Sequence, residues 1–572
     1  MGCLPSSLKK GMQVSEKRDQ VPQLKLESRL GIALLVAILA RLLWLLTTYD
    51  YQDDAYLRAL NMMTLVYHPI WPPGYFYLAK PFYVLFGHSY WVLRGMSFVT
   101  GVGSVAFLYW LAKEISGKER TAFLAALFVA ILPASVSHSV QSMAEMPFVF
   151  FMVVCLYALI KGRILWSAGL LGLATMIRYE AWPFVLVIPL YLLARSALIK
   201  QGPPAWSKRP VKDAFSFLAV SSFLPIVYVV TNRLTIGYYV WSLTPENPNF
   251  SRSTNIAVWR SDVSLTHFAG RVVSLFANGF TNVTSVFEPV IGRMEFYLGI
   301  LNPVRLCFLG YLLLLLVTCT AILGIVHGLR RRYRGFLLLL LALTLSLGFL
   351  LLSLLRGAVS PYTRFTFWSQ TLITLLSAIG IESLIARHST KLVGYGLATV
   401  VILGLLAISL SSRYSGPKAI AEVAAHLADL MGTSTPAERL QRVVGLTGPE
   451  KQTEQVLRVA GPWAQHLQLL MHLTSDREAV IIDGSCEPLD TRRSLMIQAL
   501  ADLSYNQLCR VSSEDAEGTI IAGPLVVVLF KDSVERQEEG RSTRLRERLS
   551  MEDYSITFTS GPFEIWTVRS DE

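Results

Sequence analysis

Residues 30–48 read LGIALLVAILARLLWLLTT, and residues 50–56, just beyond, read DYQDDAY. At 1.5 Å per helical residue a run of that length crosses a hydrocarbon core of roughly 30 Å. No water reaches backbone groups there, so the run must be helical. The second stretch then sets three carboxylates, Asp50, Asp53 and Asp54, at the mouth of the first span. Ionisable groups beside a membrane segment carry function more often than such groups elsewhere.

The rest of the chain follows the first span. Its 572 residues are 53% hydrophobic and only 16% charged, with mean hydropathy +0.45, outside the range of a soluble globular domain. Apolar runs predict about eleven spans, near 30–48, 90–112, 121–137, 147–160, 164–177, 182–194, 215–231, 298–326, 336–355, 365–385 and 392–410. Basic residues collect on the cytoplasmic side of membrane proteins. One topology puts every basic cluster there: Lys9 to Arg29, Lys113 with Lys118 and Arg120, Lys161 with Arg163, Arg195 to Lys212, Arg330 to Arg334, and Arg387 with Lys391. The net charge of +12 is thus a topology signal, with no nucleic-acid partner implied.

The fold class expected is an all-α polytopic membrane protein with a small outer α/β domain. Residues 1–29 form a cytoplasmic segment, with the first span an uncleaved anchor. Residues 30–411 form the membrane domain, with long outer loops at 49–89 and 233–297, and 412–572 an extracytoplasmic domain. Met1-Gly2-Cys3-Leu4-Pro5-Ser6 matches a myristoylation pattern short enough to arise by chance. In the C-terminal region 419–431 and 463–473 carry helical spacing, and 479–482, 524–530 and 563–568 read as strands. Cys486 and Cys509 both lie there, where oxidation can join them. Two glycosylation sequons, at Asn249 and Asn282, fall in the loop 233–297.

Candidate site residues gather at the outward ends of spans. After DYQDDAY, residues 57–63 have the spacing of a short surface helix. His68-Pro69-Ile70-Trp71-Pro72-Pro73-Gly74 cannot continue it, and 75–86 predict a second surface helix carrying Lys80. Asp53 and Asp54 are neighbours, so on a helix they point about 100° apart and cannot both address one atom. Asp54 with Arg58 is also compatible with an exposed pair of small value. Glu145 stands before Met146-Pro147, Arg178 and Glu180 between the fifth and sixth spans, Arg94 at the start of the second, and Arg356 and Arg364 around Pro361. Any single arginine can serve as an interface anchor. Together the charges suggest a polar cavity open to the bilayer, suited to an anionic lipid headgroup.

An acidic pair just after the first span, a Pro-Pro-Gly turn about twenty residues on, Arg94 at the start of the second span and the Glu145-Met146-Pro147 step together resemble the GT-C membrane glycosyltransferases. The likeness covers roughly 30–194 and is greatest to protein O-mannosyltransferases and lipid A aminoarabinose transferases. It implies that Asp53 and Asp54 correspond to that family's first-loop acidic pair and Glu145 to its second-loop carboxylate. Here the second acid is Asp, and His68 and Trp71 replace the basic residue before the turn in the aminoarabinose enzymes.

The function so implied is transfer of a sugar from a polyprenyl-phosphate carrier to a hydroxyl of an acceptor protein, lipid or glycan, with inversion, among membrane lipids at the extracytoplasmic face. Asp53 takes the acceptor proton as general base, and Glu145 orients the acceptor or a cation. Arg58, Lys80, Arg178, Arg356 and Arg364 are candidates for the donor phosphate. His68, Trp71, Pro72, Pro73 and Glu180 line the pocket. No cofactor is expected, although adjacent acids can bind Mg²⁺ or Mn²⁺. The membrane expected is a bacterial inner membrane, with the endoplasmic reticulum as alternative. A transporter or flippase would share the spans, but its charges would sit at the midplane in paired halves.

Overall fold

A computed structural model describes residues 28–47, 58–59, 62, 72–198, 210–236, 239, 276, 303–333, 335–356 and 366–411, together with five strands between 479 and 568. The helices are α1 (Ser28–Thr47), α2 (Gly74–Phe86), α3 (Ser89–Ser116), α4 (Glu119–Ile131), α5 (Pro133–His138), α6 (Glu145–Ile160), α7 (Ile164–Thr175), α8 (Trp182–Leu198), α9 (Pro210–Ile236), α10 (Pro303–Arg331), α11 (Phe336–Arg356), α12 (Phe367–Ile385) and α13 (Lys391–Ser411). By length and composition, six helices among the described residues can cross a membrane: those at Ser28–Leu46, Ser89–Ser116, Pro210–Leu234, Leu309–Arg331, Phe367–Ile385 and His388–Ser409. Glu145–Ile160, Ile164–Thr175, Tyr179–Ala194 and Phe336–Leu352 are apolar but shorter. The span expected over 121–137 is broken: α4 stops at Ile131 and α5 begins at Pro133, because proline lacks the N–H and clashes with the preceding turn.

The centre of the bundle is α12, with 89% of its apolar window buried. It meets α10 at backbone distance. A Cβ on Gly324 would strike the Leu376 carbonyl and one on Gly380 the Thr320 carbonyl, while the Thr320 and Ser377 hydroxyls share a 2.6 Å hydrogen bond. Small residues with a polar link are how helices associate where lipid removes the hydrophobic drive.

Helix α2 is two-faced. Tyr75, Phe76, Ala79, Lys80 and Tyr83 are buried against the bundle, whereas Tyr77, Phe82, Leu85 and Phe86 are exposed. At 13 residues it is too short to span, and its apolar outer face suits the surface position expected of it. Of the first surface helix, Arg58, Ala59 and Met62 are described, helical and buried.

The basic residues assigned to one side do meet at one end of the bundle. Lys113 and Arg29 both reach Glu119 at the start of α4, Lys161 reaches Glu114, and Lys118 and Arg120 reach Glu382 at the end of α12.

In the C-terminal region the strands are β1 (Ala479–Asp483), β2 (Leu508–Ser512), β3 (Val526–Phe530), β4 (Tyr554–Ser560) and β5 (Phe563–Val568), in one sheet of order β2-β1-β3-β5-β4. β1 is parallel to β2 and β3, and β5 antiparallel to β3 and β4. Three of these strands coincide with the expected runs; β2 and β4 were not anticipated. The expected helices at 419–431 and 463–473, both sequons and the Cys486–Cys509 pairing lie outside the described residues, Cys509 being described only as a position in β2.

Candidate active site at one end of the bundle

The end opposite the basic cluster is assembled from four breaks in helical structure. Pro72 and Pro73 prevent helix before α2. The α4–α5 break leads through 139–144 into α6, and α7 ends at Thr175 before the short 3₁₀ turn Tyr179–Ala181. One backbone hydrogen bond, Gly74 N–H to Met176 O at 2.7 Å, fastens the first break to the last. A Cβ on Gly74 would lie 2.6 Å from both Met176 Cβ and its carbonyl oxygen, so only glycine allows this approach.

Two residues after Met176 stands the charge cluster. Arg178 Nη1 donates to Glu145 Oε1, and its Nε and Nη2 donate to Glu180 Oε1 at 2.9 and 2.6 Å. The side chains of Arg178, Glu145 and Glu180 are 8%, 2% and 18% exposed. Burial alone would lower the guanidinium's pKa; attraction to Glu180 and Glu145, with the hydrogen bonds to both, more than reverses this and raises it. The cation is therefore permanent and saturated by carboxylates, and Glu145 is fixed at the first turn of α6. Tyr179 beside it shares a 2.9 Å hydrogen bond with Tyr228 of α9.

A second set of contacts starts at Arg58. The Arg58 guanidinium lies over the Tyr75 ring, 5.9 Å from its centroid. Tyr75 Oη reaches Leu93 O and Ser97 Oγ at 3.4 Å, and Ser97 Oγ donates to Met143 O at 3.1 Å, two residues before Glu145. Arg94, 1% exposed, donates from Nε to Val140 O at 2.5 Å and stacks on Tyr90 and Trp91. It is turned inward and is not an interface anchor.

Lys80 is buried on the inner face of α2, its ammonium 5.2 Å from the Tyr77 ring centroid. Burial pulls its pKa down from 10.5 to about 8. Among the described residues it has no carboxylate partner, which distinguishes it from Arg178.

The structure thus brings Glu145, Arg178 and Glu180 together and links them to the Pro72-Pro73-Gly74 turn. Asp53, Asp54, His68, Trp71 and Arg364 lie outside the described residues, and Arg356 is described only as the last position of α11. Among the described residues no three His, Cys, Asp or Glu side chains converge as metal ligands. Unforeseen were Ser97, Tyr75 and the serines of 135–142, all of them buried.

Comparison with known proteins falls on this region. Residues 67–228 match the family described as dolichyl-phosphate-mannose-protein mannosyltransferase. YycA of Bacillus subtilis (strain 168), provisionally described as a mannosyltransferase, is 30% identical over 187 residues, covering 28% of this chain and 27% of YycA. The chain therefore spans about a quarter of that relative's length. The crystal structure of the Archaeoglobus fulgidus oligosaccharyltransferase in complex with Zn and sulfate superposes with TM-score 0.51 at 14% identity, covering 94% of this chain and 72% of its own. Over residues 67–228 the chain is similar to that mannosyltransferase family, and it shares its fold with the oligosaccharyltransferase. ArnT from Cupriavidus metallidurans bound to undecaprenyl phosphate aligns over 95% of this chain and 98% of its own, at 12% identity and TM-score 0.48. The 67–228 match contains the Pro-Pro-Gly turn, Lys80, Arg94, Glu145, Arg178 and Glu180, so the GT-C likeness and the buried charge cluster coincide.

Proposed function

We propose that this protein is an inverting membrane glycosyltransferase of the GT-C kind that moves a sugar from a polyprenyl-phosphate carrier to an acceptor hydroxyl. The observation that carries the reading is the buried Glu145–Arg178–Glu180 cluster, fastened through Met176 to the Pro-Pro-Gly turn, within the segment that matches a dolichyl-phosphate-mannose-dependent family. A lipid-linked donor also fits a site at the outward helix ends, where nucleotide sugars are scarce.

In this scheme Asp53 takes the proton of the acceptor hydroxyl as its oxygen attacks the anomeric carbon. The bond from that carbon to the phosphate oxygen breaks, and the phosphate leaves with the electron pair. A base so placed contributes on the order of 10² to 10⁴ in rate. Asp54 orients the first outer loop. Arg178, already saturated, holds Glu145 ionised and in place toward the acceptor. The leaving phosphate then falls to Lys80 and Arg58, aided by Arg356 and Arg364. His68, Trp71 and the prolines shape the pocket. The reaction faces outward, in a bacterial inner membrane, with 412–572 an extracytoplasmic domain. The scheme runs without a divalent cation; turnover lost in chelator and restored by one cation would replace it.

The test is transfer of radiolabelled sugar from a panel of polyprenyl-phosphate sugars by purified wild type, Asp53→Asn and Glu145→Gln. Wild type is expected to consume one donor, with Asp53→Asn losing at least about a hundredfold in kcat. Wild type that binds and consumes no donor would sink the reading.

A further inference from the structure

One buried cation has no place in the transfer scheme. Arg41 lies inside the span Ser28–Leu46 and is fully buried. Its Nε donates to Ser139 Oγ at 2.9 Å, Nη2 to Ser135 Oγ at 2.8 Å, and Nη1 to Ala130 O at 3.0 Å and Ala37 O at 3.1 Å. Among the described residues no carboxylate pairs with it. A charge at membrane depth is costly and is retained where it does something. Here it is solvated by neutral oxygens from three separate pieces of chain.

Three of those four oxygens, of Ala130, Ser135 and Ser139, flank the break between α4 and α6. Because α4 ends at Ile131, the Ala130 carbonyl is one of the last four of the helix, without a partner inside it. Irregular backbone at this depth persists only where protein satisfies it, and Arg41 supplies the donor. Its planar fork also ties down both hydroxyls of the Ser135/Ser139 pair, one turn apart. Gly101 of α3 leaves the room: a Cβ there would strike Ser139 and lie 3.1 Å from Arg41 Nε. From α3, Arg94 grips Val140 O and Ser97 grips Met143 O. The chain is thus held at 130, 135, 139, 140 and 143, and Glu145 follows.

We infer that Arg41 is a positioning residue: from within the first span its guanidinium fixes the broken-helix segment 132–144, and through it the Glu145 carboxylate relative to the donor sugar. The effect belongs to the fork and not to the charge, since a lysine ammonium is a single point that cannot reach two hydroxyls and a carbonyl together. The catalytic half of this inference rests on the transferase reading; the structural half does not.

The experiment uses the full chain in detergent, as wild type, Arg41→Lys and Ser139→Ala, with two readouts. Hydrogen–deuterium exchange is expected to quicken about tenfold or more over 132–144 in Arg41→Lys while α3 is unchanged, with a smaller effect of the same kind in Ser139→Ala. Transfer kinetics are expected to show kcat down about tenfold or more with donor KM within about twofold, because misplacement of a group costs rate and not phosphate binding. Wild-type exchange and kcat in Arg41→Lys would overturn the inference. So would exchange rising equally in all helices, which marks a general loss of stability. If wild type transfers no sugar, the transferase reading falls while the exchange result still judges whether Arg41 holds the segment.

Discussion

At the basic end of the bundle Lys113 meets Glu119 at 3.3 Å with their side chains 36% and 47% exposed. At the other end Arg178, 8% exposed, lies between Glu145 at 2% and Glu180 at 18%. The groups are chemically alike and the physics is not. Exposed pairs are screened and contribute roughly 0 to 1 kcal/mol, so the first cluster adds little to stability. Buried pairs have given up hydration, and losing one partner strands the other. Charge in this protein is exposed and screened at one end, buried and mutually paired at the other.

Arg178→Met should break that comparison hardest. Removing the guanidinium leaves Glu145 and Glu180 buried together, and the loss of one partner of a buried pair costs about 3–5 kcal/mol. Thermal unfolding in detergent should show it, together with loss of transfer; a variant as stable as wild type would mean that water reaches this end freely.

Lys80 gives the next effect, with a sign fixed by its pKa. Burial lowers it from 10.5 to about 8, so the unfolded chain binds this proton more tightly than the folded one. The folded state therefore carries the cost of the buried charge below pH 8 and sheds it between about 8 and 10.5, and stability rises across that window. In the proposed scheme phosphate affinity moves oppositely, because the cation is lost. Donor KM should rise about fivefold or more from pH 7 to pH 9 in wild type and stay flat in Lys80→Arg, whose charge persists. A rise common to both assigns the effect elsewhere.

The smallest effect belongs to the exposed end. Lys113→Gln should change stability by under about 1 kcal/mol and leave kcat within measurement error. A cost equal to that of Arg178→Met would erase the distinction between the two ends.

Apolar run length located α1, α3, α9 and α12, and the alternating placement of lysines and arginines foretold which of them meet at one end. The Pro72-Pro73-Gly74 turn and the two-faced α2 were legible because proline and 3.6-residue spacing act locally. Glu145 and Arg178 could each be singled out as charges at helix mouths, but a separation of 33 positions along the chain hid that they pair. Arg41 was opaque for a related reason: inside an apolar run its meaning depends on Ser135, Ser139 and Ala130, nearly a hundred residues away. The serines, in turn, look like ordinary polar residues of an outer loop until the break at Pro133 is known. Strands β2 and β4 lack a run of apolar residues long enough to stand out beside β1 and β3.

The bond between Gly74 and Met176 also sets an order of events in biogenesis. Its acceptor is synthesised about a hundred residues after its donor, which at 5–20 residues per second is roughly 5–20 s later. Throughout that interval the Pro-Pro-Gly turn has no Met176 to close on, while α3 to α7 are still being made and inserted. The turn is therefore made early and can be fastened only when α7 is complete. A nascent chain arrested before Met176 would carry Glu145 without Arg178 and Glu180, so the buried charge cluster cannot form until the chain has passed residue 180.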